Sequence, residues 1–336
     1  MTLFMNAELA APAIAAQIDR AQRILILTHI NPDGDAIGSL LGVWHALRLL
    51  GKDSLPLASS PLPVYAKWLP GAEHIKVYEQ GMAFPEVDLV LMVDTATLMR
   101  VGRIYDEHAQ SLLSLPIAIV DHHVTNEGAG TVNLIAPEAA STCELLYDLF
   151  RSMGLTITPA MATCLLLGLT TDTQSFQTSA TTAESLRVAA DLLELGADQK
   201  RIVHEVYYAL PASSAALIAQ AMIDMRREAG VAWTRVTLAM MRAAGADDEA
   251  VDEVVRMIQR IAGVQALVVF KERQGGTTKI SLRSSPSINV ATLATRWGGG
   301  GHAQAAGATL MMSPEQAERE VLPLLRALVY ENSLVS

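Results

Sequence analysis

Residues 24–35 read Ile24-Leu25-Ile26-Leu27-Thr28-His29-Ile30-Asn31-Pro32-Asp33-Gly34-Asp35. The unbroken apolar run at its start suits a strand buried on both faces, as in a parallel sheet. Beyond Asp35 the pattern turns helical: Ile37, Leu40, Leu41, Trp44, Leu47 and Leu50 lie on one broad face, and Gly51 supplies the stop. His29, Asp33 and Asp35 therefore fall at the carboxyl end of a strand, where open α/β sheets gather their ligands.

The same arrangement recurs downstream. Leu89–Val93 runs into Asp94, and Ile117-Ala118-Ile119-Val120 into Asp121-His122-His123. A further strand is expected at Ser54–Ala58, an opening helix at Ala7–Ala21, and helices at Ser141–Met153 and Pro159–Leu169, just before Thr171-Asp172-Thr173. Strands alternating with helices predict an α/β fold with a doubly wound parallel sheet over residues 1–190. Residues 191–228 stay helical in pattern, interrupted at Gly196 and Pro211, and are expected to connect the domains. Residues 229–336 read as a smaller α/β domain with a mixed sheet. Its strands are expected at Ala232–Leu238, Ala266–Lys271, Lys279–Leu282 and Ala308–Met312, with a helix at Asp247–Ile261 and a hairpin turn at Gln274-Gly275-Gly276-Thr277. A cleft between the two domains is the expected binding region.

The 336 residues suffice for two cores, and the net charge of −10 argues against broad binding to long duplex nucleic acid. The charge is unevenly spread. Between Arg256 and Leu310 the basic residues Arg256, Arg260, Lys271, Arg273, Lys279, Arg283 and Arg296 face a single acid, Glu272. Cys143 and Cys164 form no Cys-x-x-Cys pair, so a reducing compartment is the default. The N-terminus lacks a basic region and contains Glu8 and Pro12, and no apolar run approaches the ~20 residues of a membrane span. A cytoplasmic protein without membrane partners is expected.

An Asn-Pro-Asp-Gly turn is common on its own. Preceded by His29 and continued by Asp35, it reads instead as a ligand loop in which Gly34 permits a sharp turn and two acids face two ions. Ala36, Gly38 and Ser39 are expected to let the helix N-terminus approach an anion. Asp94 alone would be a cap, and Asp172 alone a helix-end residue, but at the same sheet edge Asp94 is a candidate to bridge two metals. Adjacent histidines after a strand seldom serve packing, so one imidazole of His122-His123 can ligate while its neighbour faces substrate. His45, His74, His108 and His204 lack such company and are assigned to core or surface. Oxygen and imidazole ligands without thiolate suit Mn²⁺ or Mg²⁺, a pair of which can assist phosphate-ester hydrolysis. In the basic stretch, the run Gly298-Gly299-Gly300-Gly301-His302, with Arg283, reads as a phosphate cradle.

The set His29-x-x-Pro32-Asp33-x-Asp35, Asp94, Asp121-His122-His123 and Asp172 resembles the DHH phosphoesterase superfamily. Ser281-Leu282-Arg283-Ser284, the glycine run with His302, and Ala306-Gly307 resemble its DHHA1 domain. The resemblance implies that His29, Asp33 and Asp94 hold one Mn²⁺, while Asp35, Asp94, His122 and Asp172 hold a second, with Mg²⁺ as the alternative metal. It also implies that His123 lies beside the substrate phosphate, that Asp121 orients an imidazole, and that Arg283, Gly299, Gly300, Gly301 and His302 bind substrate. Gln174 stands where many relatives carry glycine. The short stand-alone layout is similar to the oligoribonuclease branch, which implies 3′-end hydrolysis of short single-stranded RNA and of 3′-phosphoadenosine 5′-phosphate. A homodimer is compatible with that branch. Rival readings are a phosphodiesterase of linear or cyclic di-adenosine phosphates, a RecJ-type exonuclease, an inorganic pyrophosphatase and a non-catalytic nucleotide-binding regulator. The RecJ type would normally need a further nucleic-acid-binding domain, the pyrophosphatase lacks the glycine-rich signature, and the complete ligand set argues against the regulator.

Overall fold

Both faces of the run at Ile24–Leu27 are covered, as its unbroken apolar character requires. Ile24 and Ile26 belong to one buried cluster and Leu25 and Leu27 to another, the period-two alternation of a central strand. The protein is described by a computed structural model for residues 2–333, and it divides into two units, Met1–Ala209 and Leu210–Ser336.

The first unit begins with β1 (Thr2–Phe4), α1 (Ala7–Arg20), β2 (Arg23–Leu27), α2 (Gly34–Leu49), β3 (Asp53–Ala58), β4 (Lys76–Val77) and β5 (Leu89–Val93). It continues with α3 (Arg103–Leu113), β6 (Ile117–Asp121), β7 (Val132–Ile135), α4 (Thr142–Ser152), α5 (Pro159–Asp172), α6 (Ala183–Glu194) and α7 (Gln199–Val203). The seven strands are all parallel, in the order β1-β7-β6-β5-β2-β3-β4. From β2 the chain winds one way through β3 and β4 and the other way from β5 onward. The β2/β5 boundary is therefore the switch point, where a crevice opens at the carboxyl ends of the strands.

The strands expected at Leu89–Val93, Ser54–Ala58 and Ile117–Val120 are present within one residue. The short strands β1, β4 and β7 were not expected, because two to four residues carry too little pattern to register. Helix α5 runs to Asp172, three residues beyond the expected end, and every residue from Met161 to Thr170 is buried. Such a helix is apolar all round because it lies inside the unit.

The glycines of α2 act differently from expectation. Gly34 is the first helical residue and takes no left-handed φ. A Cβ there would lie 2.3 Å from Thr171 Oγ1, so close approach of α5, not turn geometry, requires the glycine. Gly38 likewise faces α5, and Ser39 is fully buried with its hydroxyl 3.3 Å from Cys143 Sγ. These small residues serve helix–helix contact, and the expectation that they admit an anion is corrected.

The second unit comprises α8 (Ala212–Ile223), β8 (Arg226–Glu228), β9 (Val231–Val236), α9 (Leu238–Ala244), α10 (Glu249–Gln259), β10 (Ala266–Arg273) and β11 (Thr277–Ser284). It closes with α11 (Ala291–Ala294), β12 (Gly300–His302), β13 (Ala305–Leu310) and α12 (Pro314–Ser333). Its six-stranded mixed sheet has the order β12-β13-β11-β10-β9-β8, with β9 and β10 the parallel pair. Val268, Phe270 and Ile280 pack with α12 on one face, and Leu267 and Val269 with α8 and α10 on the other. The hairpin turn lies where expected, with Arg273 opposite Thr277. Residues 191–228, expected as a helical connector, are shared between the units, which part after Ala209, and they end in strand β8. Among the described residues no single helix is long and apolar enough to cross a membrane.

The α2–α5 contact generates a stability prediction. In Gly38→Ala the new Cβ would lie 2.4 Å from the Cys164 carbonyl oxygen, an atom of helix backbone that cannot rotate away. A loss of about 1–3 kcal/mol is expected in urea unfolding, the usual cost of overpacking. Unchanged stability would mean that the two helices separate freely.

Candidate metal centre

His29 follows β2 and Asp94 follows β5, so the switch point itself brings them together, with His29 Nε2 3.5 Å from Asp94 Oδ2. Asp33 caps α2, its Oδ1 accepting from the backbone N–H groups of Asp35 and Ala36 at 3.0 and 3.1 Å. The same oxygen lies 3.9 Å from His29 Nε2. From the end of β6, His122 Nε2 stands 3.7 Å from Asp94 Oδ1, 4.0 Å from Asp35 Oδ2 and 3.5 Å from Asp172 Oδ2. Three overlapping groups of ligand atoms result: His29, Asp33 and Asp94; Asp35, His122 and Asp172; and Asp94, His122 and His123. Within each, all atoms lie within 4.8 Å of one another.

The imidazoles are aimed by backbone carbonyls. His29 Nδ1 lies 2.9 Å from the Ile30 oxygen and His122 Nδ1 3.3 Å from the Ala139 oxygen. An Nδ1–H donated to a carbonyl leaves Nε2 as the lone-pair atom, the tautomer a metal ligand needs. His123 is held otherwise, with its Nδ1 2.8 Å from Asp121 Oδ1. Asp121 is fully buried, and its other oxygen accepts from Asn126 Nδ2 at 2.7 Å.

Helix α4 contributes what the sequence reading missed. The backbone N–H groups of Thr142 and Cys143 donate to the two oxygens of Asp35 at 2.7 and 2.9 Å, and Thr142 Oγ1 donates to Asp94 Oδ1 at 3.1 Å. A helix N-terminus stabilises a carboxylate through such amides. The available signal was Ser141, whose hydroxyl caps the helix by accepting from the Glu144 N–H.

Backbone strain also gathers here. Asp94 has φ +50°, and Gln174, Ser175 and Phe176, directly after Asp172 and Thr173, have φ of +49°, +59° and +64°. Left-handed backbone costs a residue with a Cβ roughly 1–2 kcal/mol, which glycine avoids. Glycine at the Gln174 position would avoid that cost.

The electrostatics are unbalanced. Asp35 is raised well above the usual carboxylate range, first by burial and then by Asp94, Asp172 and Asp33. Burial likewise pushes Asp172 up to about 7, with His122 opposing and Asp33 and Asp94 adding. Burial would lower His29, yet Asp94 and Asp33 hold it up at about 9. Asp94 stays below its ordinary value despite burial, because His29, His122 and His123 surround it. Four carboxylates crowd together with imidazoles as their counter-charge. A donor set of hard oxygens and oriented imidazole nitrogens, crowded in this way, fits divalent cations.

In the second unit, Arg283 is partly buried on β11, its Nη1 donating to the Leu282 carbonyl at 2.9 Å. Burial lowers its pKa, with Asp252 opposing. The glycines of the expected cradle differ among themselves. A Cβ at Gly299 would lie 2.2 Å from the Gly307 oxygen, and Gly301 has φ +140° with the Ala305 oxygen 2.4 Å from a built Cβ. Pairing with β13 requires both, whereas Gly300 opens onto free space. The His302 side chain lies outside the described residues.

Residues 23–169 match the DHH family, N-terminal domain, and residues 234–331 match the DHHA1 domain. The chain is 33% identical to the bifunctional oligoribonuclease and PAP phosphatase NrnA of Thermus thermophilus, over 90% of this chain and 89% of that one. It is 29% identical to the cyclic-di-AMP phosphodiesterase GdpP of Geobacillus thermodenitrificans, over 91% of this chain but 47% of that one. Among solved structures, an exopolyphosphatase-related protein from Bacteroides fragilis superposes with a TM-score of 0.88 at 25% identity, covering 96% of this chain and 98% of that one.

Charge balance predicts how metal binding responds to pH. A cation bound through Asp172, near 7, and His29, near 9, would displace protons that the metal-free protein holds in part or in full at neutral pH. Mn²⁺ or Mg²⁺ affinity should therefore rise from pH 6 to pH 8, by up to about tenfold per pH unit for each proton displaced. Calorimetry in buffers of different ionisation enthalpy should detect the released protons. An affinity independent of pH would refute the assignment of both groups as ligands.

Proposed function

The chain belongs to the DHH/DHHA1 phosphoesterase family, and from that premise we propose that it is a cytoplasmic, two-metal phosphoesterase. Its substrates are very short oligoribonucleotides, cleaved from the 3′ end to 5′-mononucleotides, and 3′-phosphoadenosine 5′-phosphate. The observation that carries the two-metal reading is Asp94, whose Oδ2 faces His29 at 3.5 Å while its Oδ1 faces His122 at 3.7 Å. One carboxylate addressing two imidazoles with separate oxygens has the form of a bridging ligand. We assign His29, Asp33 and Asp94 to one ion, and Asp35, Asp94, His122 and Asp172 to the other. Two Mn²⁺ ions, or Mg²⁺ in their place, would supply Lewis acidity toward the phosphoryl oxygens and acidify a nucleophilic water.

The protein's own groups do the rest. Asp121 fixes His123, which we assign to the substrate phosphate as hydrogen-bond donor and proton source. The α4 amides hold Asp35 in place and oppose the burial that raises its proton affinity. Arg283 and the Gly299–His302 segment bind a phosphate of the substrate away from the hydrolysed one. The choice of short RNA rests on similarity to the Thermus relative along nearly the full length of both chains. Similarity to the cyclic-di-AMP phosphodiesterase supports a second reading, in which di-adenosine phosphates are hydrolysed at the same centre.

A panel of di- to pentaribonucleotides, long RNA, 3′-phosphoadenosine 5′-phosphate and cyclic di-AMP, assayed with Mn²⁺, separates these readings. The shortest RNAs and the bisphosphate should be turned over fastest, and a strong preference for cyclic di-AMP would reverse the assignment. Asp94→Asn should abolish turnover of every substrate and lower metal content at both sites by elemental analysis. Near-normal activity in the folded variant would exclude a bridging role.

Arg283→Ala should raise KM for diribonucleotide about ten- to a hundredfold, the worth of one charge-assisted contact. Hydrolysis of bis-p-nitrophenyl phosphate should change far less. Equal loss on both substrates at unchanged metal content would place Arg283 in the chemistry or the fold.

A further inference from the structure

At the far end of the β10–β11 hairpin from Arg283, the second unit holds a cavity of about 450 Å³. It is lined by Leu238 and Met241 of α9, Asp248 before α10, and Lys271, Arg273 and Thr277 of the hairpin. That volume falls within the range of small-molecule sites. Strand register sets its charge. Lys271 pairs directly with Lys279, and Arg273 with Thr277, so three cations occupy one face of the hairpin tip. Like charges opposite each other on neighbouring strands cost stability, so their presence calls for a compensating partner.

The acids nearby do not fully compensate. Asp248 forms an ion pair with Lys271, whose side chain is almost completely buried, while the Asp248 side chain itself is 68% exposed. Glu272 is engaged with α9, its Oε2 accepting from the Leu238 N–H at 2.9 Å. Arg273 and Lys279 are exposed and form no ion pair among the described residues, though both hold the Asp248 carboxyl below its ordinary value together with Lys271. The pocket therefore joins an apolar wall, Leu238 with the buried Met241, to a cationic wall of Lys271 and Arg273, with Lys279 opposite Lys271.

We propose that this pocket is a second ligand site, separate from the metal centre and from Arg283, that binds a phosphate-bearing ligand of mononucleotide size. The phosphate meets Lys271, Arg273 and Lys279, displacing the exposed Asp248, and a planar or apolar group lies on Leu238 and Met241. The site does not depend on the hydrolytic reading, because none of its residues belongs to the first unit.

The test uses the 336-residue chain carrying both Asp94→Ala and Arg283→Ala in EDTA, which removes phosphate binding at the metal centre and at Arg283, and equilibrium dialysis with radiolabelled AMP. Saturable binding is expected, at least tenfold tighter than for adenosine and competed by inorganic phosphate. Adding Arg273→Ala with Lys279→Ala should weaken it tenfold or more, and Lys271→Met, which keeps the buried stem, should do the same with unfolding temperature checked in parallel. No saturable AMP binding, equal binding of adenosine, or binding that survives the loss of Arg273 and Lys279 would each overturn the proposal.

Discussion

The buried carboxylate of Asp35, gripped by the first two amides of α4, is the contact on which the centre depends. Asp35 is 1% exposed and lies in the first turn of α2, while its partners Thr142 and Cys143 come more than a hundred residues later. An ionised carboxylate without partners would be too costly at that depth, so the two helix starts must meet. Once they meet, the Thr142 hydroxyl reaches Asp94 and the start of α2 sets Asp33 against His29. Gly34, Gly38 and Gly168 remove the side chains that would keep these helices apart. A Cβ at Gly168 would lie 2.2 Å from Cys143 Sγ and 2.7 Å from Asp35 Oδ1.

Against this stabilising contact stands an excess of negative charge. Asp33 and Asp94 raise the proton affinity of both Asp35 and Asp172, Asp172 adds to that of Asp35, and the imidazoles relieve chiefly Asp94. Residues with left-handed φ flank the same site at Asp94 and after Asp172. Strain and repulsion of this kind persist where the surrounding structure over-determines them and where a ligand relieves them. The parallel sheet supplies that rigidity, since β2, β5 and β6 are buried on both faces.

The two units divide the labour of charge. Acids and imidazoles dominate the centre of the first, whereas in the second Lys271, Arg273, Lys279 and Arg283 gather on the β10–β11 hairpin. The −10 of the whole chain is therefore a poor guide to either surface. A mean over the sequence discards the spatial separation on which recognition of a small anion rests.

Local pattern was enough to read the long strands and the donor residues that gather at their carboxyl ends, because apolar runs of four or five residues ending in His or Asp keep their meaning in isolation. Even Asp94, a lone acid after a strand, was legible through the company it keeps. The role of α4 was not legible, because its contribution comes from backbone amides that every sequence possesses. Nor were the purposes of Gly34, Gly299 and Gly301, which depend on what passes within 3 Å of them. Which groups carry charge, and which segments become strands or helices, are properties of near neighbours and could be read along the chain. Which oxygen of Asp94 faces which imidazole, which amides hold Asp35, and where three cations meet an apolar wall could not. Strand order and helix packing settle those outcomes, because they alone set distances between residues remote along the chain.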